Sequence, residues 1–522
     1  MRQNKLHNFI NKNEPLKSIS NLIIPFLILL IGIFFRLYRV ASVPFGLNHD
    51  AALNGLAAID LWNKLPEYLP FYYGWVGETF YHYYLGLIFY LFGANAFNLR
   101  LASVIIGILT LPIFYLLARR LQNRLSATLS LFFLAISGWH IVMSKVGWLM
   151  ILVPLTQCLF FLFFYLALTK NSIKFWILSG ITLALTLNTY GAGRITIAIF
   201  LTILIFWMLK NKSKVKSILS KLIIFSLVFI IFIYPLFNFA IHNWESYNSR
   251  ADFLFVGNKI KQTNSLTPLI DNLKMSFGIL HSRANGNDFF VDEPLLEKIP
   301  GYLFFLGLIY LIFNLKKLES FFILSWFILG FIPGLLSVPN GNHNFAILTP
   351  LYLIIGQGLA SIIVFLKKIT AKYFKFGYII LVLIMVFSTI DVYNQYLSPF
   401  RREIWGFYPE TTIVANFMNK NKGKFEYYLT DNYPRDALTF LTYSGGEPFH
   451  KNYTWLEKPE DFFTIKQTPE KGLMFFMMDN SQNIQIRNNL LLKFPNSYFE
   501  NIFYADDHIN RNASVVVVVP SK

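Results

Sequence analysis

The stretch LFGANAFNLRLASVIIGILTLPIFYLLARRL, residues 91–121, decides the fold. Between Leu101 and Ala118 the only small polar residues are Ser103 and Thr110, and the whole stretch holds no acid. A surface helix of a water-soluble protein shows a polar face opposite its apolar one. Here that face is missing, and the run exceeds the roughly 17–25 apolar residues that cross a bilayer. It stops at Arg119-Arg120, a basic end of the kind that stays in the cytoplasm.

Working outward, similar blocks recur near 20–40, 98–118, 126–143, 149–169, 173–190, 194–210, 219–240, 300–315, 319–338, 345–366 and 375–396. Composition agrees. The 522 residues are 55% hydrophobic and 18% aromatic but only 14% charged, where a soluble domain has about 25% charged residues. The expected fold is an all-α polytopic membrane protein. The first block is too long, and lacks the small-residue site, for a cleaved signal peptide, so it reads as a true span. Net charge is +18. In a soluble chain this would suggest nucleic acid, but here the cations mark topology and no nucleic-acid partner is expected. They cluster as Arg2/Lys5/Lys12/Lys17, Arg119/Arg120/Arg124, Lys170/Lys174, Lys210–Lys221, Lys316/Lys317 and Lys367–Lys375. Eleven spans put every cluster on the cytoplasmic side. Counting YHYYLGLIFYLF, residues 81–92, as a further crossing would put the later ones outside. That segment is therefore expected to be an interfacial or re-entrant helix on the outer face.

Outside the membrane then lie the loops 41–97 and 241–299 and the C-terminal 397–522. The last has soluble composition and reads as a small α/β domain. A helix is expected at 411–420 and strands at 425–430 and 513–519. Residues 1–396 form the transmembrane domain. The single cysteine, Cys158, excludes an internal disulfide, and no Cys/His metal cluster is spelled out. There is no P-loop, HExxH or GxSxG in the right context.

Ionisable residues at the membrane edge are costly and so become functional candidates. Asp50, in GLNHDAALNGLAAID (46–60), reads either as an N-cap or as a general base held at a helix start. Asn48 and His49 beside it read as local hydrogen-bonding residues. Glu78 precedes the short helix, and His82, four residues on, is placed to pair with it. A Glu/His pair can hold a divalent ion, although two ligands make a weak metal site. Lys145, Arg194, Arg250 and Arg283 read as interfacial cations or as phosphate ligands. Tyr190 reads as a belt aromatic or a cavity wall. His343 and Asn344 sit in an expected polar turn.

The order of these motifs resembles the GT-C fold glycosyltransferases. It is similar above all to the protein O-mannosyltransferases and the bacterial lipid A aminoarabinose transferases. The resemblance rests on an acid after the first span, a second acid, then Phe92-Gly93, Arg100-Leu101, Tyr115 and Arg119-Arg120. SATLSLFFLAISGWHIVMSKVGWLMIL (126–152) and the segment from Asn285 to Phe313 extend it. It spans roughly residues 20–400. It implies transfer of a sugar from a polyprenyl-phosphate carrier to a protein, lipid or glycan acceptor on the outer face. It also implies that Asp50 acts as catalytic carboxylate and that Glu78 is the second acid. The pattern departs from the family at Ala51, where Glu is usual, at Thr79, where Lys is usual, and in NHNFAIL, which lacks an expected Arg. A divalent metal stays open. A flippase of lipid-linked sugars and an inactive envelope-assembly protein are the competing readings. No internal repeat favours transport, while Ala51 in place of Glu leaves the inactive reading open.

Overall fold

The computed structural model describes residues 20–72, 76–282, 294–369, 374–397, 407–429, 433–443, 453–456, 458–467, 470–478, 481–503 and 512–521. Helix α1 (Ser20–Leu37) leads through a loop to α2 (His49–Asn63). A two-stranded ribbon, β1 (Phe71–Tyr72) and β2 (Gly77–Glu78), precedes α3 (Phe80–Phe92). The quoted apolar run becomes α4 (Ala96–Leu121), begun by Asn95, whose side chain accepts from Asn98 N. Then come α5 (Arg124–Ile136), α6 (Gly138–Val146), α7 (Leu152–Lys170), α8 (Ile173–Leu187), α9 (Thr196–Lys210) and α10 (Val215–His242). Shorter helices α11 (Trp244–Leu254), α12 (Val256–Thr263) and α13 (Thr267–His281) follow. The helical part ends with α14 (Lys298–Phe313), α15 (Leu318–Leu329), α16 (Ile332–Leu336), α17 (Leu348–Ile369) and α18 (Phe374–Val392).

Seven helices among the described residues are long and apolar enough to cross a membrane. An eighth crossing arises if α5 and α6 are one span bent by 49°. The bend has a local cause: Ser137 Oγ accepts from His140 N and starts a new helix where a straight one was expected. The expected segments near 20–40, 173–190 and 300–315 appear as shorter apolar helices, Leu22–Leu37, Ile173–Leu187 and Lys298–Phe313. Helix α10 leaves Ile223, Leu227, Ile230, Ile231, Phe232 and Phe237 exposed. A belt of that kind marks a lipid-facing surface. The protein is a multi-pass membrane protein.

Close helix packing is set by small residues, as is usual where lipid offers no hydrophobic drive. Helix α14 lies on α17, and α17 on α5. A Cβ on Gly307 would strike Ile354 O, and one on Gly358 would strike Leu303 O.

The loop from α1 to α2 is tied down by buried cations. Arg100 of α4 donates to the carbonyls of Val40, Ala41 and Gly46. Lys145 of α6 donates to Tyr38 O at 2.6 Å. Arg36, fully buried, donates to Gly32 O and Ala135 O and meets His140 Nδ1 at 2.7 Å.

The C-terminal region comprises α19 (Pro409–Lys420), β3 (Phe425–Leu429), α20 (Arg435–Thr442), β4 (Thr454–Trp455), β5 (Gly472–Met477), α21 (Ser481–Lys493), β6 (Tyr498–Phe503) and β7 (Asn512–Val519). Its strand order is β4-β3-β5-β7-β6. Strand β3 is parallel to β4 and β5, and β7 runs antiparallel to β5 and β6. All six β5 residues are buried, because apolar clusters cover both faces. Central strands of this kind read as continuous apolar runs. Helix α20 packs on α2: the Phe440 ring fills the space above Gly55 and lies 5.8 Å from the Phe89 ring.

Candidate functional site

Five of the residues singled out in the sequence converge on one cavity of about 260 Å³: Glu78, Tyr190, Arg194, Arg250 and His343. They come from four separate segments. The β-ribbon supplies Glu78 with Phe71, Val76 and Gly77. A 3-10 turn, Gly191–Ile195, supplies Arg194, with Tyr190 just before it. Helix α11 supplies Tyr247, Arg250, Ala251 and Leu254. Helix α16 and the turn after it supply Pro333, Leu336, Ser337 and His343.

The ribbon register decides what Glu78 does. Phe71 pairs with Glu78 and Tyr72 with Gly77, which turns at a φ of +81°. Glu78 is thus extended backbone, and the helix begins only at Phe80. This corrects the expected Glu78–His82 pairing, since Glu78 does not lie on the helix face. Its Oε1 instead accepts from Arg194 Nη2 at 2.5 Å. The Glu78 side chain is 5% exposed and that of Arg194 33%. The guanidinium also lies 4.6 Å from the centre of the Tyr247 ring. Its Nε is buried and has no partner among the described residues. A buried N–H without an acceptor costs about 1–3 kcal/mol, a penalty that an incoming acceptor would relieve.

His82 is fully buried, and its Nε2 meets Asn54 Oδ1 at 2.7 Å. Asn54 Nδ2 donates to Asp50 O at 2.8 Å, so Oδ1 is the acceptor and His82 Nε2 carries the proton. The two acidic motifs are therefore joined by a bonded pair of side chains. Asp50 itself does not line the cavity. It is also not the N-cap: Asn48 caps α2, accepting from Asp50 N at 2.8 Å and Ala51 N at 3.2 Å. Asp50 sits in the first turn, partly buried. Next to it, His49 Nδ1 pairs with Asp436 of α20 at 3.0 Å. That carboxylate raises the His49 pKa above its usual value against the opposing effect of partial burial.

Lys145 does not reach the cavity either. It is buried in α6 and bound to the Tyr38 carbonyl rather than snorkelling to an interface. Arg283 lies outside the described residues. Asn344 is buried and bonds to Asn340 O through its side chain, while Asn340 Oδ1 accepts from His343 N at 2.8 Å. The expected polar turn thus holds His343 in place. Among the described residues no three His, Cys, Asp or Glu side chains gather to hold a metal ion. The cavity acid, Glu78, is already engaged by a guanidinium.

Tyr247, Phe71 and Ser337 were not singled out from sequence. Tyr247 was findable, because it precedes Arg250 by three residues on one helix and so shares its face. Phe71 stacks on Phe239 at 5.3 Å, a contact between distant segments that no local pattern announces.

Two guanidiniums, one carboxylate and several aromatic side chains thus line one cavity. Residues 79–238 match the family model for dolichyl-phosphate-mannose-protein mannosyltransferases, a stretch that is under a third of the chain. Among solved structures, ArnT from Cupriavidus metallidurans bound to undecaprenyl phosphate matches with a TM-score of 0.55 at 12% identity, covering 97% of this chain and 99% of that one. The archaeal oligosaccharyltransferase AglB from Archaeoglobus fulgidus, in complex with an inhibitory peptide and a dolichol-phosphate, matches with a TM-score of 0.55 at 13% identity. It covers 82% of this chain, which spans only 64% of the archaeal protein. A search of curated protein sequences finds no match. The fold is that of the GT-C membrane glycosyltransferases, and the likeness is to the protein mannosyltransferase and ArnT kind.

Proposed function

We propose that this protein transfers a sugar from a polyprenyl-phosphate carrier to an acceptor at the outer face of the membrane. The observation that carries this reading is the cavity itself. Arg194 and Arg250 border it, Arg194 keeps a buried unpartnered N–H, and its other walls are largely apolar and aromatic. Guanidinium groups match the geometry of a phosphate, and a preorganised charge stabilises a leaving phosphate at little reorganisation cost. The likeness to chains solved with undecaprenyl phosphate and dolichol-phosphate supports the same ligand class.

In this reading an acceptor hydroxyl attacks the anomeric carbon. The carbon–oxygen bond to the phosphate breaks, and the polyprenyl phosphate leaves with the bonding pair against the arginines. The hydroxyl proton passes to the Asp50 carboxylate. A single displacement of this kind inverts the anomeric centre. Asp50 serves the acceptor side, one Asn54–His82 link away from the Glu78 side. Glu78 orients Arg194. The C-terminal region, 397–522, is an extracytoplasmic domain beside the acceptor side. The N-terminus is cytoplasmic, and eleven spans carry the site.

The test is an assay of the purified chain with a panel of polyprenyl-phosphate sugars. Transfer by the wild type and none by Asp50→Asn supports the reading. Full transfer by that variant removes Asp50 from the mechanism. A reporter fused after residue 396 is expected outside, and a cytoplasmic signal overturns the topology.

A further inference from the structure

The polar groups of the cavity sort by what they can do. Arg194 and Arg250 only donate hydrogen bonds. Glu78 accepts, but one of its oxygens is spent on Arg194. A lipid phosphate offers acceptors and would use the arginines alone. His343 is built for the opposite task.

Its ring is pinned from one side. Ser337 Oγ donates to Pro333 O at 2.6 Å, which leaves that oxygen able to accept. His343 Nδ1 lies 2.9 Å from it and is thereby assigned the ring proton. The same ring edge also serves the backbone carbonyl of Val338, and no other side chain among the described residues bonds Nε2. Burial, and secondarily the charge of Arg250, lower the His343 pKa to about 4. The ring is therefore neutral at ordinary pH, with a lone pair on Nε2. An acceptor beside a phosphate site repels the phosphate and attracts a hydroxyl. The sugar on a lipid phosphate is the hydroxyl-bearing part of such a donor.

We infer that His343 Nε2 accepts a hydrogen bond from a hydroxyl of the carrier-bound sugar, so that His343 reads the sugar while Arg194 and Arg250 hold the phosphate. This inference rests on the cavity being the donor site. It makes His343 a specificity residue, with no proton transferred. A site built to bond a hydroxyl discriminates strongly against a ligand that lacks it, because its own polar atom is then left unpaired.

The full chain in nanodiscs separates the two claims. Binding is measured for undecaprenyl phosphate alone and for undecaprenyl phosphate bearing mannose, glucose or galactose. The wild type is expected to bind at least one sugar-bearing lipid about tenfold more tightly than the bare phosphate. His343→Leu should keep the bare-phosphate affinity within about twofold and lose the sugar increment. His343→Gln, which returns an acceptor near the Nε2 position, should recover part of it. Arg250→Ala should weaken both kinds of lipid together. The inference fails if no sugar adds affinity in the wild type, or if His343→Leu keeps the increment. It also fails if His343→Leu loses the bare phosphate, or if Gln recovers nothing. The donor-site reading fails separately, if Arg194→Ala and Arg250→Ala bind the bare phosphate as the wild type does.

Discussion

Glu78 and Asp50 both stand at the start of a helix that follows a loop, yet they live in different surroundings. Glu78 is almost fully buried, held by Arg194 and set in an extended ribbon. Asp50 is partly buried, lies in a first helical turn, and has as neighbour a histidine bound to the C-terminal region. A buried carboxylate bonded to a guanidinium is committed to orienting that group, since losing either partner strands a charge. A partly exposed carboxylate near a mobile substrate can take up and release a proton. In the proposed mechanism, two acids that look alike in sequence divide into an orienting one and a reacting one.

The sharpest way to break that division is Asp50→Asn. It should lower kcat by about a hundredfold or more, with undecaprenyl phosphate binding and thermal unfolding unchanged. An equal loss of lipid binding would make Asp50 part of the donor site. Next in size, Arg194→Ala should weaken undecaprenyl phosphate binding by about 10–100-fold, the worth of a lost hydrogen bond to a charged group. Glu78→Gln should act on the same lipid through Arg194 and destabilise the fold by about 1–3 kcal/mol, read by thermal unfolding. If Glu78→Gln abolished turnover but left lipid binding and stability intact, Glu78 would be the reacting acid. The smallest effect concerns His49. Its pKa is raised in the folded state, chiefly by Asp436. Its stabilisation is therefore fully present below the ordinary histidine pKa and is lost as pH rises through the elevated one. Both partners are substantially exposed, so the pair is worth about 0.5 kcal/mol or less. Asp436→Asn should lower the unfolding midpoint slightly at pH 6 and not at pH 9; a larger loss at pH 9 would contradict the assignment.

The helices were the legible part, because each apolar block is contiguous and a bilayer sets its length. The C-terminal helix and strands near 411–420, 425–430 and 513–519 are likewise local patterns, found at Pro409–Lys420, Phe425–Leu429 and Asn512–Val519. The site was legible as residue types and not as partners. Arg194 and Glu78 meet across 116 positions, a separation that no periodicity encodes. Lys145 reads as a membrane-edge cation, but its short helix, set off by the 49° bend after Ile136, is buried along its whole length. His82 stood one turn from Glu78 on paper, and two residues of ribbon sufficed to separate their tasks.

The carbonyls of the loop after α1 carry a further consequence, one of length. Loops ordinarily absorb insertions with little penalty. Here the oxygens of Tyr38, Val40, Ala41 and Gly46 are each taken by Arg100 or Lys145 from helices below. One added residue between 41 and 46 would shift the later oxygen out of reach and leave part of a buried guanidinium unbonded. The loop works as a ruler, counting off the distance from the first helix to the capping Asn48, and with it the place of the acid two residues on.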